Sequence, residues 1–284
     1  MQIAMIHDRI VPMDQLEPAY LDRGTFFGDG VYEVVRSYNG KIFALDEHLE
    51  RFARSLAAVE ITALDIAEVR SRVENAFAAA GIPNAKIYFH ATRGSAPRDH
   101  AYGPDLKPNF FLTVTTLSDA SHEKAAGIAV STYPDVRWKR CDIKSLNLLP
   151  NVLARADAAR KGCAEAIFVD DAGLITEGAA SAFFAITAQT LRTAPLKANI
   201  LPSITRKFVL RAARDIGLPV KEESFTPQFA ASADEAFIAV TTKDIVPVVK
   251  FDDKTIGPGS PAVRLAGKPG KFTKLLIEQF RSFT

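Results

Sequence analysis

A change of hydrophobic period within one short stretch constrains this chain most. Through Val31-Tyr32-Glu33-Val34-Val35-Arg36 the pattern alternates like a strand, and Lys41-Ile42-Phe43-Ala44 resumes it after Asn39-Gly40. Asn-Gly tolerates the positive φ angles of a type I′ turn, so this segment is expected to form a hairpin. Directly afterwards Leu49, Phe52, Leu56 and Val59 recur at helical spacing, with Asp46 placed to cap the helix. A strand pair feeding a helix requires a mixed fold, neither all-α nor all-β.

The rest of the chain repeats that alternation. A second helix is expected from about Asp65 to Ala80, closed by Gly81, and then strands over 85–92 and 109–117. The polar, Gly/Pro-punctuated stretch 93–100 reads as the loop between them. After a break near residue 120 come a strand over 127–133 and a helix from about Leu148 to Lys161. A strand over 165–169, a turn at 170–173 and a strand over 181–187 follow. Ser203 caps a helix over 204–216, and strands over 234–240 and 245–251 come last. Length supports two domains, since 284 residues is about twice a typical domain. The expected division is residues 1–120 and 121–284.

Composition narrows the function. Hydrophobic residues at 48% and charged residues at 24% exclude a disordered chain, which lacks apolar surface to offset ordering entropy. The net charge of +2, with no long run of one sign, argues against nucleic acid. Arg137-Trp138-Lys139-Arg140 is too short to count as a basic face and reads as a solvated strand end. Cys141 and Cys163 are two cysteines in a chain too long to need a disulfide framework, which favours reduced thiols and the cytoplasm. Early charge at Asp8-Arg9 argues against a signal peptide, and no apolar run approaches the ~18 residues of a membrane span. The five histidines are scattered, so no metal site is expected. Neither a Gly-x-Ser-x-Gly elbow nor a Walker loop occurs, and Gly28-Asp29-Gly30 reads as a tight turn rather than a dinucleotide fingerprint.

Lysine chemistry remains. Lys144 sits in Ile143-Lys144-Ser145-Leu146-Asn147-Leu148-Leu149, apolar surroundings of the kind that suit a lysine bonding to an aldehyde cofactor. Pyridoxal 5′-phosphate also needs a carboxylate against its ring nitrogen, and Glu177 begins an apolar stretch where a lone acid is costly unless paired. Its phosphate needs donors at a helix N-terminus, which Pro202-Ser203-Ile204-Thr205-Arg206 supplies, with hydroxyls available from Thr241-Thr242. Each residue alone has an ordinary structural explanation. Together they describe a cofactor cradle.

Several longer motifs, in order, then resemble the fold-type IV pyridoxal-phosphate aminotransferases, and within them the D-amino acid aminotransferases. They are Asp22-Arg23-Gly24, Phe27-Gly28-Asp29-Gly30-Val31-Tyr32-Glu33, Asp46-Glu47-His48-Leu49-Glu50-Arg51, Asp142 to Leu149, Thr176-Glu177-Gly178, Ile200 to Arg206 and Asp234-Glu235-Ala236-Phe237. The resemblance covers nearly the whole chain. It implies a smaller N-terminal α+β domain, a larger C-terminal domain of β-barrel-like sheet and helices, and a homodimer with the site near the interface.

Roles follow residue by residue from that resemblance. Lys144 would be the Schiff-base lysine and proton carrier, and Glu177 the partner of the ring nitrogen. Arg51, the backbone of Ile204 and Thr205, and Thr241 would hold the phosphate, while Leu201 packs against the ring. Tyr32, Arg98 and His100 would hold the substrate α-carboxylate, arginine offering a bidentate fork. The implied reaction passes an amino group between D-alanine or D-glutamate and 2-oxoglutarate or pyruvate. Ala179, Ala180 and Ala182 depart from the pattern, standing where relatives carry serines or asparagine. Alternatives within the fold are a branched-chain L-amino acid aminotransferase or an aminodeoxychorismate lyase, which Arg98-x-His100 argues against. A non-catalytic binding protein on the same scaffold is the remoter alternative, disfavoured by Lys144 and Glu177 occurring together.

Overall fold

The computed structural model describes residues 2–257 and 267–284, so the expected second domain is described except for 258–266. The chain opens with a hairpin, β1 (Ile3–Ile6) and β2 (Arg9–Pro12), and a short helix, α1 (Arg23–Phe27). The expected hairpin follows as β3 (Gly30–Tyr38) and β4 (Lys41–Ile42). Asn39 and Gly40 have φ of 48° and 86°, the paired positive values of a type I′ turn.

Helix α2 (Leu45–Ala58) differs from expectation at its start. Ala44, not Asp46, is the N-cap, and no side chain caps the helix. The chain turns into the helix early, which leaves Asp46 inside the first turn, where its charge still suits the positive helix end. Its carboxylate pairs with Arg70 of α3 (Ile66–Ala80), a helix capped by Asp65 and closed by Gly81 as expected. β5 (Ala85–Thr92) pairs with β3 and with β6 (Asn109–Thr116), giving an antiparallel sheet ordered β4-β3-β5-β6. Leu49 and Phe52 of α2, Val69 of α3 and Val31, Val35 and Phe89 of the sheet form its core.

The second half contains α4 (Ser121–Ala126), β7 (Ile128–Pro134), α5 (Leu149–Arg160), β8 (Glu165–Val169), β9 (Ile175–Gly178), β10 (Ala182–Thr187) and β11 (Thr190–Thr193). Then come α6 (Ile204–Asp215), β12 (Val220–Glu222), α7 (Pro227–Ala231), β13 (Glu235–Val240), β14 (Asp244–Phe251), β15 (Lys254–Thr255) and α8 (Lys271–Arg281). One sheet runs β12-β11-β10-β13-β14-β7-β8-β9, with β15 beside β14. Five steps separate β10 from β9, about 24 Å if the sheet were flat. Only residues 179–181 join them, a link reaching at most about 14 Å. The sheet therefore curls, and Ile175 of β9 shares one core with Phe183 of β10, Ile167, Ile238 and Val248. Helices α6 and α8 cover the other face, where Phe184 and Phe237 stack at 4.8 Å.

The curl places Glu177 differently from the sequence expectation. It lies in β9, a four-residue strand between the expected turn at 170–173 and the expected strand over 181–187, too short for its period to be read.

Candidate active site

Lys144 lies between β7 and α5, on a segment fastened to the first half of the chain. Ser145 bridges to Val31, the Tyr32 amide donates to the Lys144 carbonyl at 2.9 Å, and the Lys144 amide donates to Ser55 Oγ at 3.2 Å. The lysine's backbone is thus held by the backbone of β3 and by the Ser55 hydroxyl of α2. Its Nζ lies 4.1 Å from the centre of the Tyr32 ring.

Both residues line a cavity of about 820 Å³, a size suited to a cofactor plus a small substrate. Arg51, Glu177, Leu201, Ser203, Thr241, Ala179, Ala180 and Ala182 line it too. Arg51 comes from α2, buried and forked onto Glu33, with Nε to Oε1 at 2.7 Å and Nη2 to Oε2 at 2.8 Å. Its Nη1 donates to the Pro202 carbonyl at 3.0 Å, which leaves two of the five guanidinium N–H groups for a ligand.

Glu177 is buried, and its oxygens accept the Leu201 amide at 3.1 and 3.2 Å. Arg137 Nη1 donates to Glu177 Oε1 at 2.6 Å. Burial pushes the Glu177 carboxyl above its ordinary pKa, and the Arg137 cation only partly opposes this. Arg137 is not a solvated strand end: its side chain is 7% exposed and also forks onto Asp135. The charge run predicted solvation, but two buried acids and the Phe168 ring, 4.4 Å away, draw this arginine inward.

The phosphate end fits as well. Ser203 Oγ accepts from the Arg206 amide at the start of α6, as a capping serine should. Among the described residues the Ile204 and Thr205 amides have no acceptor, and an anion at this helix terminus would supply one. Thr205 and Thr241 hydroxyls stand 3.5 Å apart beside them. Ile204 and Thr205 do not line the cavity themselves, but Ser203, the cap of their helix, and Thr241 do. Open donors next to that lining, a buried carboxylate on the cavity wall and a fastened lysine between the two halves suit pyridoxal phosphate.

Arg98 and His100 are not brought into this group. Both lie exposed on the loop 93–108 that joins β5 to β6, and neither lines the cavity. The Arg98 guanidinium lies 5.1 Å from the Phe27 ring centre, and the His100 ring lies tilted against the same ring with centres 5.1 Å apart. Of the three expected carboxylate binders, only Tyr32 reaches the cavity.

Sequence reasoning missed Glu33, His48, Asp135 and Arg137. Glu33 was legible: it alternates with Val31 and Val35 and so shares their buried face, where an acid demands partners. Arg137 carried no such local signal.

A family model described as amino-transferase class IV matches residues 30–251. The chain is 37% identical over 280 residues to the D-alanine aminotransferase of Staphylococcus haemolyticus, covering 98% of this chain and 96% of that protein. The solved branched-chain amino acid aminotransferase of Escherichia coli matches with a TM-score of 0.84 at 22% identity, covering 97% and 92% of the two chains. The branched-chain amino acid aminotransferase of T.th., solved with pyridoxamine 5′-phosphate, matches at 0.82 and 22%, again over 97% and 92%. The two structural likenesses show the fold.

Proposed function

The chain belongs to the class IV aminotransferases, and on that premise we propose that it moves the amino group of a D-amino acid to a 2-oxo acid with pyridoxal 5′-phosphate. The observation that carries this reading is the convergence of Lys144, Glu177 and the open N-terminus of α6 on one cavity. The D-side choice is supported by 37% identity to a D-alanine aminotransferase over nearly the full chain.

When bound, the cofactor supplies an electron-withdrawing ring that accepts the electron pair left at the substrate α-carbon. This chain's residues do the rest. Amides of Ile204 and Thr205, the Thr241 hydroxyl and the spare Arg51 N–H groups hold the phosphate. Leu201 packs against the ring, and Glu177 takes the ring nitrogen as its partner. Lys144 Nζ would hold the cofactor between turnovers and would carry the substrate α-proton. Tyr32 with Arg98 and His100 orients the substrate carboxylate. Since those last two lie outside the cavity, a homodimer in which a second copy brings its loop to the cavity mouth satisfies all three roles. We also propose residues 1–120 and 121–284 as the two domains, supported by the separate sheets on either side of that point. A reduced cytoplasmic setting accords with the two free cysteines.

The test compares amino donors. With 2-oxoglutarate as acceptor, D-alanine should be turned over far faster than L-leucine, and a preference for L-leucine would overturn the D-assignment. Borohydride reduction of the holoenzyme and peptide mapping should find the cofactor on Lys144, and Lys144→Ala should lose activity by orders of magnitude.

A further inference from the structure

Glu177 does not meet the cavity alone. Behind it stand Arg137 and Asp135, joined by Arg137 Nη2 to Asp135 Oδ2 at 2.8 Å and Nε to Oδ1 at 2.9 Å. Thr176 Oγ1 donates to Asp135 Oδ2 at 2.8 Å, and the Phe168 ring covers one face of the guanidinium. The side chains of Asp135, Arg137 and Glu177 are 4%, 7% and 8% exposed, so water screens this row of charges little. Two acids and one base leave one net negative charge. Glu177 Oε1 is occupied by Arg137 and the Leu201 amide, whereas Oε2 accepts only the Leu201 amide among the described residues. A donor in the cavity therefore finds a free lone pair on Oε2.

We propose that Arg137, anchored by Asp135, is a positioning residue that sets on which side of the contact between Glu177 and the cofactor ring nitrogen the shared proton rests. The inference deepens the pyridoxal-phosphate reading and rests on it. A cation 2.6 Å from Oε1 stabilises the carboxylate and makes Glu177 the weaker base of the pair. The proton then stays bonded to nitrogen and is accepted by Oε2, so the ring is cationic when the electron pair arrives. Without that cation the N–H bond breaks and an O–H bond forms. Glu177 becomes a neutral donor and the ring a neutral acceptor, with no proton gained or lost by the pair. Asp135 sharpens the need for Arg137, because it repels the Glu177 carboxylate once the guanidinium between them is gone.

The experiment separates charge from hydrogen bonding. Arg137→Gln keeps donors toward both acids and loses the charge, while Arg137→Lys keeps the charge and loses the fork. Holoenzymes are reconstituted with cofactor carrying ¹⁵N in its ring, and the nitrogen resonance is recorded at one pH near neutrality. Wild type and Arg137→Lys should show the protonated-ring signal, and Arg137→Gln should move toward the neutral-ring signal. In Arg137→Gln, kcat should fall about ten- to a hundredfold, the loss expected for one charge-assisted contact, with a smaller change in KM. The same ring signal in both variants overturns the proposal. A neutral ring in the wild type overturns it too, since the proton then rests with Glu177 although Arg137 is in place; a protein that takes up no pyridoxal 5′-phosphate instead removes the reading on which the proposal rests.

Discussion

Glu33 in the four-stranded sheet and Glu177 in the curled sheet are both buried glutamates that meet an arginine, yet the protein drives them in opposite directions. Burial alone would raise both pKa values. At Glu33 it is outweighed by the Arg51 cation and by hydrogen bonds from Arg51 and His48 Nδ1, the latter at 2.8 Å, which hold the carboxyl below its ordinary range. At Glu177 burial prevails over Arg137, whose own charge is shared with Asp135. Both Glu33 oxygens are taken by charged or ring donors, so this carboxylate is fixed and has nothing left for a ligand. Glu177 is held by weaker means and keeps an open oxygen. Burial alone does not set a carboxylate's state; the number and charge of its donors do.

That contrast is broken most strongly at Glu33. Glu33→Gln leaves Arg51 buried without its counter-charge and should lower stability by about 3–5 kcal/mol. Urea unfolding of the cofactor-free protein measures this, and a loss of under about 1 kcal/mol would show that Arg51 finds another partner. Cofactor affinity should fall as well, since the fork that orients Arg51 toward the cavity is gone.

Glu177→Gln should behave in the opposite sense. Arg137 keeps Asp135, so stability should change by no more than about 1 kcal/mol. On the proposed role of Glu177, turnover should drop about a hundredfold or more with cofactor still bound, because the ring would lose its anionic partner. A stability loss matching that of Glu33→Gln would erase the distinction between the two acids.

A change on the substrate side calibrates both. On the proposed role of Arg98, Arg98→Met would remove one charge-assisted contact to the carboxylate that D-alanine and D-glutamate share. It should lower kcat/KM for both about ten- to a hundredfold, or roughly 1.5–3 kcal/mol. The cofactor absorbance should not move, unlike that of either glutamate variant. Full D-alanine activity would exclude Arg98 from substrate binding.

The two glutamates also mark what was legible in the sequence. Strands, capped helices and the Asn39-Gly40 turn follow from local periodicity and turn chemistry, which act over a few residues. Lys144, Glu177 and the helix opening at Ser203 stood out because their residue types suit one chemistry. Partners that face each other only after the sheet curls left no local trace: Arg137 is 40 positions from Glu177, and its neighbours suggested solvent. Asp46 was misplaced by the early helix start, and the strand carrying Glu177 was too short to show a period. Arg98 and His100 were nameable as a motif, but their exposed loop lies apart from the cavity within one chain.

The finest test of the contrast is the pH dependence of stability, where each acid should act in its own window. Unfolded, Glu33 titrates near its ordinary value of 4.5, while folded it keeps its charge to lower pH. Below 4.5 the unfolded chain therefore binds the proton first, and stability from this site, complete above 4.5, is lost as pH falls. Glu177 is displaced upward, so the folded chain binds its proton first as pH falls toward 4.5, and acidification through that window favours folding. Each effect is bounded at about 1.4 kcal/mol per pH unit for one proton. In the cofactor-free protein, Glu33→Gln should flatten the stability profile below 4.5. Glu177→Gln should remove a gain above 4.5, so that stability falls more steeply from neutral pH down to that point. Urea midpoints across the acid range resolve the two windows, and parallel profiles in all three proteins would mean that neither acid changes its proton affinity on folding.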